Sequence, residues 1–147
     1  MQIKSEIRNP KSEILTPYKD LADYIISHYT GKVVEIGIGR NPEVAKKLNK
    51  YLDVIVTDIR YYFYGFLRFI QDDVFNPDLS IYKNASLIYS IRPPIDIQNA
   101  IAKLAKQVGS DLIIRPYATE KTDLSNYFKK MKLVNYGSAR FYLYRYE

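Results

Sequence analysis

The chain has 147 residues, 47% hydrophobic and 26% charged, which is typical of one globular domain. It has no cysteine and a single histidine, His28, so disulfides, thiolate metal sites and histidine-rich metal sites are excluded and we expect no metal. The net charge of +6 favours an anionic partner, either RNA or a phosphorylated small molecule, although a lysine-rich solvated surface would give the same balance.

The N-terminal region carries no targeting or membrane signal. No apolar run approaches the roughly 18 residues that span a bilayer, and Met1–Glu6 lacks the apolar stretch of a signal peptide. We therefore expect a cytoplasmic protein with no membrane partner. Pro10 interrupts a repeated Lys-Ser-Glu-Ile motif, which predicts a loosely ordered lead-in over residues 1–15, followed by one folded domain over 16–147.

Strand and helix patterns alternate along this domain. Helices are predicted at 16–30, from Asn41, at 97–108 and at 124–131; strands are predicted at 32–36, 53–58, 67–73, 85–91 and 111–115. The strands are short and apolar without alternation, as in parallel sheets buried on both faces. Residues 132–136 and 139–146 around Gly137-Ser138 predict a hairpin. The pattern indicates a single α/β Rossmann-like domain with a mainly parallel sheet and a C-terminal antiparallel hairpin.

The first turn between strand and helix, Glu35-Ile36-Gly37-Ile38-Gly39, is the strongest candidate for a ligand site. A dinucleotide-binding G-x-G-x-x-G motif would need glycine where Pro42 stands. The methyltransferase pattern, acid-x-G-x-G-x-G, is met by Glu35, Gly37 and Gly39 and departs only at Asn41. We therefore expect S-adenosylmethionine rather than a nicotinamide cofactor, with Glu35, Gly37 and Gly39 at its amino-acid end. A tight turn without a ligand is the alternative.

Two further acidic positions follow predicted strands. Asp58 ends the second strand, where a carboxylate can accept both ribose hydroxyls of a nucleoside. Asp72 and Asp73 end the third strand, and we expect Asp72 to face the adenine amino group while Asp73 caps the following turn. The alternative for each is an acid that only ends a strand.

Four segments together carry a family resemblance: Val33–Pro42, Thr57–Ile59, Asp72–Pro77 and Tyr89–Pro94. They resemble a small, mainly archaeal, uncharacterised family of methyltransferase-like Rossmann proteins, and the resemblance covers residues 16–146. It implies the S-adenosylmethionine-dependent methyltransferase-like fold and a cofactor pocket of that type, but no particular reaction.

The segment Arg92-Pro93-Pro94-Ile95 lies where amino-methyltransferases carry an Asn/Asp-Pro-Pro-aromatic loop that accepts a hydrogen bond from the amine. Arginine has no acceptor, so methylation of an adenine or glutamine amine by that mechanism is disfavoured. Pro93 is expected to hold Arg92 in an extended conformation at the mouth of the pocket.

Four arginines, Arg40, Arg60, Arg92 and Arg115, each follow a different predicted strand. Parallel strands end on one edge, so we expect the four to converge on one crevice and bind phosphate or carboxylate of a substrate. Ion pairs with the neighbouring carboxylates are the alternative. The sequence thus predicts a methyltransferase-like protein acting on an anionic or nucleic-acid substrate, with no residue identified as catalytic. The second hypothesis is a non-catalytic nucleotide- or RNA-binding module on the same sheet.

Overall fold

The structure is a computed structural model and describes residues 14–147, so nearly all of the predicted lead-in, 1–15, lies outside it. Its helices are α1 (Thr16–His28), α2 (Glu43–Leu48), α3 (Leu79–Tyr82) and α4 (Ile95–Val108). Its strands are β1 (Lys32–Ile36), β2 (Asp53–Asp58), β3 (Arg68–Gln71), β4 (Leu87–Ile91), β5 (Asp111–Arg115), β6 (Lys130–Tyr136) and β7 (Ala139–Arg145). Within 14–147 no helix combines the length and the apolar character that crossing a membrane requires.

All seven strands form one sheet in the order β3-β2-β1-β4-β5-β7-β6. The first five are mutually parallel, with Val33 of β1 opposite both Val54 of β2 and Leu87 of β4. Strand β7 runs antiparallel to β5, and β6 pairs with β7 as the predicted hairpin. The predicted fold class is therefore confirmed. The strand order reverses direction between β1 and β4, and this point determines where ligands bind in such sheets.

Helices cover both faces of the sheet, which is why its strands lack an apolar–polar alternation. Successive side chains of β1 alternate between the two faces of the sheet. Val33 packs in the core under α1 and α2, and Val34 packs in the core under α3 and α4. Both valines have no solvent exposure. Each face thus buries its own apolar stripe, and the sheet is held from both sides.

The helix predicted over 124–131 is wrong. Leu124 and Phe128 are buried as their spacing suggested, but they belong to one isolated turn, closed by the Phe128 N–H donating to the Leu124 carbonyl at 3.0 Å. The chain enters β6 at Lys130, two residues before the predicted start of the hairpin, so that no helix can continue. Sequence reasoning also missed the short helix α3, which Asp78 caps by accepting the Ser80 N–H at 3.0 Å.

Candidate functional site

A cavity of about 390 Å³ opens at the carboxyl ends of β1, β2 and β4, beside the point where the strand order reverses. Its walls are mainly apolar, with a small set of polar groups, as is usual for small-molecule sites. The polar groups on its lining are the side chains of Thr57, Asp58, Asp72, Asp73, Tyr82, Ser90 and Arg92.

The turn between β1 and α2 forms one wall. Gly37 and Gly39 both have positive φ, +76° and +54°, a conformation that other residues adopt only with strain. The N–H groups of Gly37 and Ile38 donate to the Thr57 carbonyl at 2.9 and 3.0 Å, which ties the turn to the end of β2. Gly37 lines the cavity. The glycines of the motif are therefore required by the backbone at this wall.

Glu35 does not line the cavity. Its side chain is only 1% exposed, and its Oε1 accepts the Tyr89 hydroxyl at 2.7 Å. Burial raises the pKa of the Glu35 carboxyl to about 8, although the Tyr89 hydrogen bond opposes this rise. Glu35 lies on the face of β1 that packs against α1 and α2, so its carboxyl points into the core and away from the cavity that Gly37 lines.

A tyrosine that sequence reasoning did not place at the site supports the same turn. The Tyr64 hydroxyl donates to the Gly39 carbonyl. Tyr62 and Tyr64 pack against the core, while Tyr61 and Phe63 between and beside them are 67% and 76% exposed. Because residues 61–64 are all aromatic, nothing in the sequence indicates which of them face the core.

Asp58 lies where the sequence predicted it, at the end of β2 on the cavity lining. Its Oδ2 accepts the Gly39 N–H at 2.9 Å and its Oδ1 accepts the Arg60 N–H at 3.0 Å. A carboxylate has about four acceptor positions, so two backbone donors leave Asp58 able to accept further hydrogen bonds from a ligand.

Asp72 and Asp73 both line the cavity but differ in how their oxygens are used. Asp72 accepts the Tyr82 hydroxyl at 2.6 Å on one oxygen and the Asp78 N–H at 3.1 Å on the other. Asp73 accepts the Phe75 N–H at 2.9 Å on Oδ1, and its Oδ2 has no donor among residues 14–147. Asp73 is thus the turn cap that was expected, and it also keeps the freer oxygen.

Arg92 lies on the cavity lining and is exposed. The expectation that Pro93 keeps Arg92 extended is wrong, because its φ is +56°. Two contacts hold this conformation: the Arg92 N–H donates to the Arg115 carbonyl at 2.6 Å, and its guanidinium stacks over the Tyr117 ring at 4.5 Å. A left-handed arginine is strained, and such strain is common at functional sites.

The structure does not bring the four arginines to one crevice. Only Arg92 lines the cavity; Arg40 and Arg60 are exposed outside it. Arg115 lines a separate depression and lies over the Tyr18 ring at 5.2 Å. Within the part of the chain that is described, none of the four forms an ion pair, so the alternative of pairing with the neighbouring carboxylates is not observed either. Their roles in binding a substrate stay predictions.

The sheet order, the terminal antiparallel hairpin and the position of the cavity define the class of methyltransferase Rossmann-like domains. A TehB-like methyltransferase from Corynebacterium glutamicum superposes with a TM-score of 0.60 at 12% identity, over 91% of this chain and 89% of that one. A methyltransferase from Silicibacter pomeroyi gives 0.53 at 16% identity, over 89% and 90%. CalS10 of Micromonospora echinaspora, an amino pentose methyltransferase with S-adenosylmethionine bound, gives 0.54 at 13% identity, over 81% and 57%.

The particular family is shown by sequence. The model of the Uncharacterised protein family UPF0146 matches residues 18–146. The UPF0146 protein of Archaeoglobus fulgidus is 44% identical over 130 residues, which cover 86% of this chain and 94% of that protein. The UPF0146 protein of Methanocaldococcus jannaschii is 45% identical over 118 residues, 76% and 82% of the two chains. The chain belongs to the UPF0146 family, as the resemblance predicted.

Proposed function

We propose that this protein binds S-adenosylmethionine in the cavity and transfers its methyl group to an anionic or nucleic-acid substrate. One observation carries the proposal: the methyltransferase-type sheet keeps an open cavity of about 390 Å³ at its switch point, with carboxylates on an otherwise apolar lining. This volume lies within the range of about 300–1,000 Å³ that small-molecule sites occupy.

Asp58 and Asp73 are suited to the nucleoside. Asp58 has acceptor positions left for the two ribose hydroxyls, because only one backbone N–H occupies each of its oxygens. Asp73, through Oδ2, can accept from the adenine amino group. Ile59 and Val74 line the cavity beside these acids and offer apolar contact to the faces of a purine. We therefore assign the adenine contact to Asp73 ahead of Asp72, because Asp73 keeps one oxygen without a protein donor, whereas each oxygen of Asp72 already accepts one hydrogen bond.

Gly37 is suited to the amino-acid end of the cofactor, because a glycine there lets a ligand approach the backbone closely. Glu35 supports the turn from the core in this proposal. With a pKa of about 8 its carboxyl is mostly protonated at neutral pH, and it lies too deep to meet an ammonium group. Gly37 is thus the contact, and the Glu35 side chain stays hydrogen-bonded to Tyr89 in the core.

When bound, S-adenosylmethionine supplies an electrophilic methyl group on its sulfonium. Methyl transfer depends mainly on the alignment of a nucleophile with that group, so it needs no dedicated base. Arg92 lies at the cavity and can orient a phosphate or carboxylate of the substrate. Since a guanidinium cannot accept a proton, its task is to position the substrate.

The second candidate is a nucleotide- or RNA-binding module without turnover. It is favoured by the loop after β4, where Arg92 lines the cavity and offers no acceptor to hold a substrate amine. The two candidates share the cavity and differ only in whether a methyl group leaves it.

Calorimetric titration with S-adenosylhomocysteine tests the cofactor. We expect binding that Asp58→Ala weakens by about 1–3 kcal/mol, the cost of leaving polar ligand groups unpaired. Asp96→Ala is the matched control, since Asp96 is exposed next to the lining residue Ile97 without lining the cavity itself, and this variant should bind as the unmodified protein does. NAD should not bind.

Absence of any heat with about 1 mM ligand and folded protein would refute the cofactor assignment. If S-adenosylhomocysteine binds, incubation of the protein with tritium-methyl S-adenosylmethionine and candidate RNA separates the two functions. Labelled RNA supports transfer, and cofactor binding without labelled product favours the non-catalytic module.

A further inference from the structure

A second depression, of about 670 Å³, lies at the same edge of the sheet, between the end of β5 and the β6–β7 hairpin. Three of its eight lining residues are cations, Arg115, Lys121 and Arg140, and none is acidic. The lining therefore concentrates positive charge without an internal counter-charge.

Two of the cations are held in place by aromatic rings. The Arg115 guanidinium lies over Tyr18 at 5.2 Å, and the Lys121 ammonium lies over Tyr142 at 5.1 Å. Ring faces attract cations and keep their side chains ordered without neutralising them. The two acids nearest to Lys121 in sequence, Glu120 and Asp123, do not line the depression, and neither forms an ion pair with its cations within residues 14–147. The charges are thus positioned and keep their capacity to donate.

Arg115 has a buried polar atom with no partner. Its Nε is out of contact with solvent and finds no hydrogen-bond acceptor in the described part of the chain. Leaving such a donor unsatisfied costs about 1–3 kcal/mol, more for a charged group. A ligand in the depression could reach this atom only if the Arg115 side chain turned, so the capacity to bind an anion lies with the other guanidinium nitrogens of Arg115 and with Lys121 and Arg140.

The depression is next to the cavity. Ile91 of β4, which lines the cavity, pairs with Arg115 of β5, which lines the depression. Arg92 spans the boundary: it donates its N–H to the Arg115 carbonyl and stacks on Tyr117. A ligand with its reacting group at the cavity could therefore extend past Arg92 and place a phosphate in the depression.

We infer that Lys121 and Arg140, beside Arg115 at the end of β5, form a phosphate-binding subsite, which holds a phosphate of the substrate while its reacting group lies at the cavity mouth beside Arg92. That the ligand is a substrate rests on the proposed function, but the binding of phosphate groups stands by itself. The ligand chemistry is a phosphate, borne either by a nucleic-acid strand or by a phosphorylated small molecule.

Binding of two probes tests the subsite: tripolyphosphate, which has no base to enter the cavity, and a fluorescent eight-nucleotide oligouridylate. The variant is Lys121→Gln with Arg140→Gln, because Lys121 is half-buried and Arg140 is exposed, whereas Arg115 packs on Tyr18. Lys132→Gln is the control, since Lys132 adjoins the lining residue Leu133 on β6 and therefore points to the opposite face of the sheet.

We expect the double variant to bind tripolyphosphate about 10-fold or more weakly, because it lacks two charge-assisted hydrogen-bond donors, with Lys132→Gln within about 2-fold of the unmodified protein. If oligouridylate binding also falls, and its salt dependence decreases by about 0.7 for each phosphate that is no longer neutralised, the natural ligand is nucleic acid. If only tripolyphosphate binding falls, a phosphorylated small molecule is assigned.

The inference is overturned if neither probe binds the unmodified protein, or if Lys132→Gln weakens binding as much as the double variant does. Titration with S-adenosylhomocysteine is run on the same samples. Retained cofactor binding with unchanged tripolyphosphate affinity in the double variant rejects the subsite alone, and absent cofactor binding in the unmodified protein rejects the proposed function alone.

Discussion

Glu35 and Tyr89 form a buried acid–phenol pair directly behind the glycine turn, and it gives the protein a pH-dependent stability. Because the pKa of Glu35 is about 8 in the folded protein and near 4.5 when unfolded, the folded state holds a proton that the unfolded state releases between these values. The free energy of unfolding should therefore fall as pH rises through this window, by up to about 1.4 kcal/mol per pH unit, and level off above it.

Glu35→Gln removes that titration while keeping an acceptor for the Tyr89 hydroxyl. We expect this variant to show a flatter profile and greater stability than the unmodified protein at pH 8, measured by urea unfolding across the window. The same change at the exposed Glu120 is the control. Profiles of equal slope for Glu35→Gln and the unmodified protein would contradict the buried-pair account.

Single residues also show where sequence reasoning reaches its limit. Position at a strand end placed Gly37, Asp58 and Asp72 on the cavity lining, because topology alone brings those ends together. Asp73, which was expected only to cap the following turn, lines the cavity as well. It could not show that Glu35 faces the core, since strand β1 is buried on both sides and has no polar face to reveal its orientation. Nor could it show that Tyr82 and Asp78 occupy the oxygens of Asp72, because those contacts depend on the loop before α3.

At the scale of elements, the loop from β4 to α4 gives a test that separates binding from folding. Arg92 has a φ of +56°, which glycine adopts freely and alanine adopts at a cost of about 1–2 kcal/mol. The free energy of unfolding should thus be larger for Arg92→Gly than for Arg92→Ala. Both should weaken oligouridylate binding and lower its salt dependence by about 0.7 to 1, while cofactor affinity stays nearly unchanged.

Thermal melts and anisotropy titrations on the pair check this. If Arg92 only held the loop, both variants would lose stability and neither would lose affinity for the oligonucleotide. That combination would refute its role at the substrate.

Periodicity predicted the strands well and the last helix wrongly, for one physical reason. A parallel strand buried on both faces needs a continuous apolar run, and the sequence contains five such runs, which predicted the five parallel strands. Leu124 and Phe128 satisfy helical spacing, but a single turn buries both, and pairing of β6 with β7 over seven residues outweighs further helix. Spacing over one turn does not distinguish these outcomes.

At the scale of the whole molecule, two concavities share one edge of the sheet and differ in charge. The cavity between β1, β2 and β4 carries acids suited to a nucleoside, and the depression beyond β5 carries cations suited to phosphate. The strand order places them side by side, since β4 and β5 are neighbours. The overall charge of +6 strengthens attraction of an anionic ligand to this edge.

If the cavity holds the nucleoside of S-adenosylmethionine, a crystal structure of the protein grown with S-adenosylhomocysteine should show the ligand there. We expect density for the ligand in the cavity, with its ribose hydroxyls hydrogen-bonded to Asp58 and its adenine between Ile59 and Val74 beside Asp73. A ligand bound elsewhere, or an empty cavity at saturating ligand, would contradict it.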